Sequence, residues 1–321
     1  MTSSLGELKI ETSQPRQGHL ARAVSRLVRK KLAIVAITLL LGLYAGGVFA
    51  AWVSPYDYSH QDYSVIRNPP SLEHWAGTDR AGRDVLTRLL WGIQNTIILT
   101  FIAMITGGLL IGVTLGLIAG YFGGRVDVLV NRIGEIFASL PTFFLMVIIA
   151  ATLRPRVLEM VRWIEDNTAI NGLVQSGIVD YFVISLALVS FSWFGMARVV
   201  RGQVLYLKTT EFIQSAKAIG ATTPRILFHH LLPNAISPII VLVSMSMGTM
   251  AGSEILLSWL GLGIQPPRPS LGRMLLESGN IGTLQNEPWM LLAPGLIALL
   301  LIVSWNLLGD ALNDVLNPRT R

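Results

Sequence analysis

The sequence has no cysteine, which excludes disulfides and thiolate metal sites. Charge is scarce: Asp, Glu, Lys and Arg make up 14% of the 321 residues, against about a quarter in a soluble domain. Histidine is also rare. The five are His19, His60, His74, His229 and His230, all in segments that read as loops or tails. His229 and His230 are adjacent, so they point apart on a helix and make a poor metal pair. Neither H-E-x-x-H nor G-x-S-x-G occurs, and there is no G-x-x-x-x-G-K-S/T phosphate loop. The chain is therefore expected to have no catalytic site and to bind neither metal nor nucleotide itself. No inverted repeat and no charged, pore-like span marks it as a channel or secondary transporter. That class, and a membrane scaffold, stand as the rival readings.

Long apolar runs take the place of what is missing. Hydrophobic residues reach 52%, the mean hydropathy is +0.56, and about 20 consecutive apolar residues suffice to cross a bilayer. Six spans are expected, at 32–53, 96–120, 134–153, 180–197, 235–260 and 289–309. The first run is too long for a signal-peptide core, and Val48-Phe49-Ala50 lies late in it, so it is read as an uncleaved span. The net charge of +6 reflects sorting of basic residues to cytoplasmic loops rather than a nucleic-acid site. With the N-terminus inside, sixteen of the 25 Lys and Arg fall on the inner side, seven of them ahead of the first span. Both termini are thus expected to be cytoplasmic. The organisation reads as a tail (1–31), a first transmembrane helix (32–53), an extracytoplasmic segment (54–93), a transmembrane core (94–310) and a second tail (311–321).

Within the spans, Gly108, Gly112, Gly116 and Gly120 recur every four residues, with Gly124 continuing the series. That spacing places them on one helix face, where small residues let a second helix approach. Packing inside the subunit is favoured over a dimer contact. Pro141 is expected to kink the third span, while Pro294 lies near the start of the sixth. Glu254 lies inside the fifth span. Intramembrane charge usually serves function, so it either faces a pathway or meets a partner subunit. Glu135 and Asp310 sit near span ends and read as anchors. Residues 77–92 and 155–166 read as short amphipathic helices lying on membrane lipid, the second opening at Pro155; docking of an external partner is the alternative.

The most informative stretch is polar and lies between spans: RVVRGQVLYLKTTEFIQSAKAIGATTPRILFHHLLPN, residues 198–234. Thr209 or Thr210 is placed to cap a helix that begins with Glu211. Phe212, Ala216 and Ile219 share one face, Gly220 ends the helix, and Thr222 or Thr223 with Pro224 opens a second one running to Pro233. A plain connector is usually shorter and less patterned.

The register of this stretch resembles the "EAA" loop of ABC importer permeases, which reads Glu-Ala-Ala, three residues, Gly, nine residues, then Ile-x-Leu-Pro. Ala216, Gly220, Leu232 and Pro233 match, while Gln214, Ser215 and His230 stand for Glu, Ala and Ile. Five further segments resemble the C-type permease subunit of dipeptide/oligopeptide importers: GTDRAGRDVLTRLLWG (77–92), AGYFGGRVD (119–127), ASLPTFFL (138–145), LSWLGLGIQPPRPSLGRML (257–275) and NLLGDALNDVLNPR (306–319). Residues 155–178 depart from that family as a longer outer loop. The resemblance implies an all-α, six-helix, type I importer permease in the bacterial or archaeal inner membrane. It implies pairing with a B-type subunit, two ATPase subunits that use ATP and Mg below, and an extracytoplasmic binding protein above. The contacts it assigns to the ATPase fall on Glu211, Gln214, Ser215, Ala216, Lys217, Gly220, Ala221, Arg225 and Pro233. Peptide is the cargo it implies first. Oligosaccharides, nickel chelates and glutathione are carried by similar importers.

Overall fold

The computed structural model describes residues 25–316. Lys9, Arg16 and Arg22 of the expected N-terminal basic cluster, and Arg319 and Arg321 at the other end, lie outside them. Among the described residues there is no strand, only one isolated bridge between Thr78 and Asp84. The helices are α1 (Lys31–Val48), α2 (Val85–Phe122), α3 (Gly124–Ser139), α4 (Thr142–Asn167), α5 (Ile178–Leu207), α6 (Glu211–Ala218), α7 (Thr223–Trp259), α8 (Leu271–Ser278), α9 (Ile281–Asn286) and α10 (Pro288–Leu316). Five of them (α1, α2, α5, α7 and α10) are each long and apolar enough to cross a membrane; α3 and α4, bent by 87°, qualify only as a pair. The chain is a multi-pass, all-α membrane protein.

The helices outrun the apolar runs. At ~1.5 Å per residue, α2 is on the order of 57 Å long, well beyond a ~30 Å hydrocarbon core. Residues 85–92 are accordingly the first turns of α2 and not a surface helix. Asp84 caps that start, its carboxylate accepting from the Thr87 amide at 2.7 Å. Residues 155–166 are likewise the C-terminal half of α4, which continues through Pro155. The third span is broken where one kinked helix was expected. Leu140, next to Pro141, is extended (φ −100°, ψ 148°), because the proline ring disfavours helical backbone in the residue before it. Pro141 then serves as the cap of α4.

Two helix pairs form the centre. α7 and α10 meet where Gly248 lies against the Ile302 carbonyl and Gly309 against Met245. α2 and α5 meet along glycine. A side chain at Gly112 would run into the Trp193 carbonyl, at Gly116 into that of Ala197, and at Gly120 into Val204. The fourth member of that face is Gly107, against Val189, while Gly108 faces Met104 of its own helix. Residues Met104–Val113 are wound as π-helix, whose wider turn stretches the repeat to five residues between Gly107 and Gly112. α1 packs on α2 through Gly46 and Gly47, and its Tyr44 hydroxyl accepts from the Trp305 indole of α10 at 2.7 Å.

Candidate functional site

The polar stretch is shorter as a loop than it reads in the sequence. α5 carries on to Leu207 and α7 begins at Thr223, leaving 208–222 to hold α6. Thr209 and Thr210 do not cap α6 with their side chains. Their hydroxyls donate backwards, to the carbonyls of Tyr206 (2.8 Å) and Leu207 (2.5 Å), and close the end of α5. Gln214 reaches back in the same direction, its amide donating to the Lys208 carbonyl at 3.0 Å.

At its other end α6 stops at Gly220. The Ala221 amide bonds to the Ala216 carbonyl and the Gly220 amide to that of Lys217, both at 3.0 Å. With φ +82° at Gly220, this is the Schellman arrangement, and glycine alone holds it without strain. Gly220→Ala is expected to destabilise the loop by about 1–2 kcal/mol, visible as faster amide exchange confined to 211–221.

The face of α6 that looks into the protein is set by Ile213 (0% exposed) and Ala216, not by Phe212, Ala216 and Ile219 together. Ile213 belongs to a cluster with Leu117, Val200, Val204, Ile226 and Leu231, against which Ala221 packs. Phe212 (43%) and Ile219 (86%) point outward, alongside exposed Glu211, Ser215 and Lys217. Exposed apolar residues on a helix seated on a fixed core are suited to insertion into a partner's groove.

The second predicted helix of the loop is not separate. Arg225, exposed, lies in the first turn of α7, and Pro233 sits in the same unbroken helix after a π-wound stretch, Ile226–Leu231. Proline has no amide to offer the preceding turn. The Asn234 side chain donates to the His230 carbonyl at 2.7 Å one residue on. A push on α6 therefore meets two long helices, α5 and α7, with no flexible linker on the α7 side beyond Thr222.

Glu254 is 0% exposed. Its two oxygens accept from the hydroxyls of Thr96 on α2 (2.6 Å) and Ser258 on its own helix (2.7 Å). In this conformation it is buried inside the subunit, where it ties α7 to α2. Glu254→Leu leaves two buried hydroxyls without their acceptor and is expected to cost about 1–3 kcal/mol. Glu254→Gln keeps an acceptor and leaves transport rates unchanged. Thermal unfolding of the purified subunit and uptake into vesicles check the two statements. Glu135 pairs with Arg132 at 3.2 Å on the exposed side of α3.

At the opposite end lies a largely buried ion cluster that residue spacing barely foreshadowed. Asp79 holds Arg83 at 2.7 Å and also Arg88; Glu277 of α8 holds Arg88 at 3.1 Å and Arg273 at 3.2 Å. Arg67 pairs with Glu287 at 3.3 Å, and the Trp289 indole donates to the Thr78 carbonyl at 3.3 Å. These contacts fasten the 54–84 segment to α8 and the start of α10. Arg83 and Arg88 were visible only as two charges on an amphipathic stretch. Their carboxylate on α8 is 189 residues away from Arg88.

Residues 112–321 match the family described as the inner membrane component of binding-protein-dependent transport systems, and residues 19–70 match the N-terminal transmembrane domain of oligopeptide transport permease C. The chain belongs to this permease family. It is 36% identical to the dipeptide transport system permease protein DppC of Alkalihalophilus pseudofirmus over 299 residues, 93% of this chain and 90% of that protein. It is 35% identical to the oligopeptide transport system permease protein OppC of Bacillus subtilis, over 93% of this chain and 89% of the relative. The glutathione transport system permease protein GsiD of Pectobacterium atrosepticum is similar to the same degree, 34% over 92% of this chain and 90% of its own length. A permease of such a system works with an ATPase and a binding protein.

Proposed function

We propose that this chain is the C-type half of the membrane pathway of an ATP-driven importer for peptides. It pairs with a B-type permease subunit, rests on two cytoplasmic ATPase subunits that use ATP and Mg, and receives cargo from an extracytoplasmic binding protein. It lies in a bacterial or archaeal inner membrane with both termini cytoplasmic, a reading supported by the charge bias of its loops. The observation that carries the proposal is α6: a short helix with Phe212 and Ile219 exposed, fixed from behind by Ile213 and closed by Gly220. ATP-driven closure of the ATPase pair would move α6, and α5 and α7 would pass the motion to the bundle as rigid units. Peptide as cargo rests on the names of similar permeases. Glutathione, itself a modified tripeptide, is the second reading, favoured by the comparable similarity to GsiD.

The absence of cysteine makes the test direct. Single cysteines at the exposed Ser215 and Ile219, co-expressed with the candidate ATPases, are expected to give cross-links whose yield changes with ATP. A cysteine at the buried Ala216 is the negative control. With all subunits folded and present, no cross-link from either exposed position overturns the importer reading. Uptake of labelled dipeptide, oligopeptide and glutathione by vesicles holding the whole complex separates the two cargo readings.

A further inference from the structure

Residues of α5 and the coupling loop reach past α6 to a joint elsewhere in the chain. α2 ends at Phe122, and Gly123 and Gly124 follow with φ +64° and +54°, a conformation that favours glycine. α3 begins at the second of them, Gly124. On the α2 side of this joint, the Lys208 ammonium donates to the Gly120 carbonyl at 2.9 Å and the Lys217 ammonium lies 5.3 Å above the Tyr121 ring. On the α3 side, Arg201, two turns before the end of α5, clasps both oxygens of Asp127, with Nη2 to Oδ2 at 2.6 Å. Asn131 steadies that carboxylate from the next turn at 2.7 Å. Three cations from one stretch of chain, 201–217, thus straddle a two-glycine joint.

The helix beyond the joint is lightly held. α3 ends at the extended Leu140 before Pro141 and is turned 87° from α4. Besides the Asp127 clasp, it touches α5 where Gly134 lies flat against the Phe194 ring and where the Phe137 ring meets Phe191 edge-on at 5.6 Å. Val128 (60% exposed), Leu129 and Ile136 on it are uncovered. α3 therefore has a break at each end and one charged fastening, made to the helix that leads into α6.

We propose that α3 is the element the coupling loop moves: Lys208, Lys217 and Arg201 grip the two sides of the Gly123–Gly124 joint, so that displacement of α6 resets the angle between α2 and α3. Arg201, Lys208 and Lys217 are then positioning residues for transport, and Asp127 is the lever by which α3 is turned. This inference rests on the importer reading above and assigns the transmission step within it.

The test is a distance measurement in the assembled importer. Spin labels go on Leu129 of α3 and on the exposed Leu110 of α2, in the cysteine-free background. With a non-hydrolysable ATP analogue the distance between them is expected to shift. The shift is expected to be lost in Asp127→Asn and in the double variant Lys208→Ala with Lys217→Ala, while the cross-link from Ile219 to the ATPase persists. Lys217 is exposed and Lys208 half-buried, and neither belongs to the apolar core, so this pair keeps the test valid if the Asp127 variant fails to fold. An unchanged Leu110–Leu129 distance, in a wild-type complex whose Ile219 cross-link does respond to ATP, overturns this inference and leaves the importer intact. A shift that survives in the lysine pair and in Asp127→Asn also overturns it. Absence of the Ile219 cross-link itself overturns the functional reading, which separates the two failures.

Discussion

Asp79→Ala is expected to cost about 3–5 kcal/mol, the range for breaking a buried ion pair by removing one partner. Asp79 accepts from the Arg83 guanidinium and from the Ala81 (2.7 Å) and Arg83 (3.0 Å) amides, and it also holds Arg88, whose side chain is buried. Without it, three guanidinium groups, those of Arg83, Arg88 and Arg273, share Glu277 alone, and two loop amides lose their acceptor. The loss concentrates in the fastening between the 54–84 segment and α8. Thermal unfolding in detergent should therefore drop sharply, and limited proteolysis should cut first within 54–84. Replacing Asp79 with Asn preserves the acceptor for the amides and is expected to recover part of the loss. Equal stability of Asp79→Ala and the parent would mean that the cluster is solvated and not structural.

The second large effect concerns function and leaves the fold alone. Ile219→Asp adds a charge where a large apolar side chain stands 86% exposed. Nothing inside the subunit depends on that side chain, so its unfolding temperature should hold. If Ile219 seats in an ATPase groove, burying a carboxylate there is expected to cost about 2 kcal/mol or more, the size of an interface hot spot. That corresponds to roughly thirtyfold weaker assembly. ATPase copurification and cargo-stimulated hydrolysis report it. The comparison that matters is Ile213→Asp, six residues away but fully buried, which should unfold the loop instead. Identical behaviour of the two variants would show that the inward and outward faces of α6 have been assigned wrongly.

These contrasts mark how far the sequence could be read. Apolar runs and scarce charge determined the class, since a chain so built finds its solvent only in a bilayer. The end of the loop's short helix was legible because the positive φ at Gly220 is a local demand that any neighbourhood would impose. The spans were located, but helices of this kind run past their apolar stretch until something stops them. Asp84, Lys208 to Thr210, and Leu140 before Pro141 were the stops. The proline was read as a kink when it marks an end.

What remained hidden depends on which surfaces meet. Periodicity assigned Phe212, Ala216 and Ile219 to one face, yet Ile213 is the residue that the bundle buries. A short helix has apolar residues on more than one side, and only the packed neighbours choose between them. The glycine ladder was displaced from Gly108 to Gly107 by a π-wound turn that leaves no mark in residue spacing. Glu254 looked functional because charge in a span is costly, and it was satisfied by Thr96, 158 positions away. Composition and local geometry thus set the solvent, the spans and the turn of the loop, because those follow from residues near in sequence. The inward face of α6, the buried clasp of Asp79 with Arg88 and Glu277, and the Arg201–Asp127 fastening were decided by tertiary structure alone, because each requires a partner that only the folded chain brings within reach.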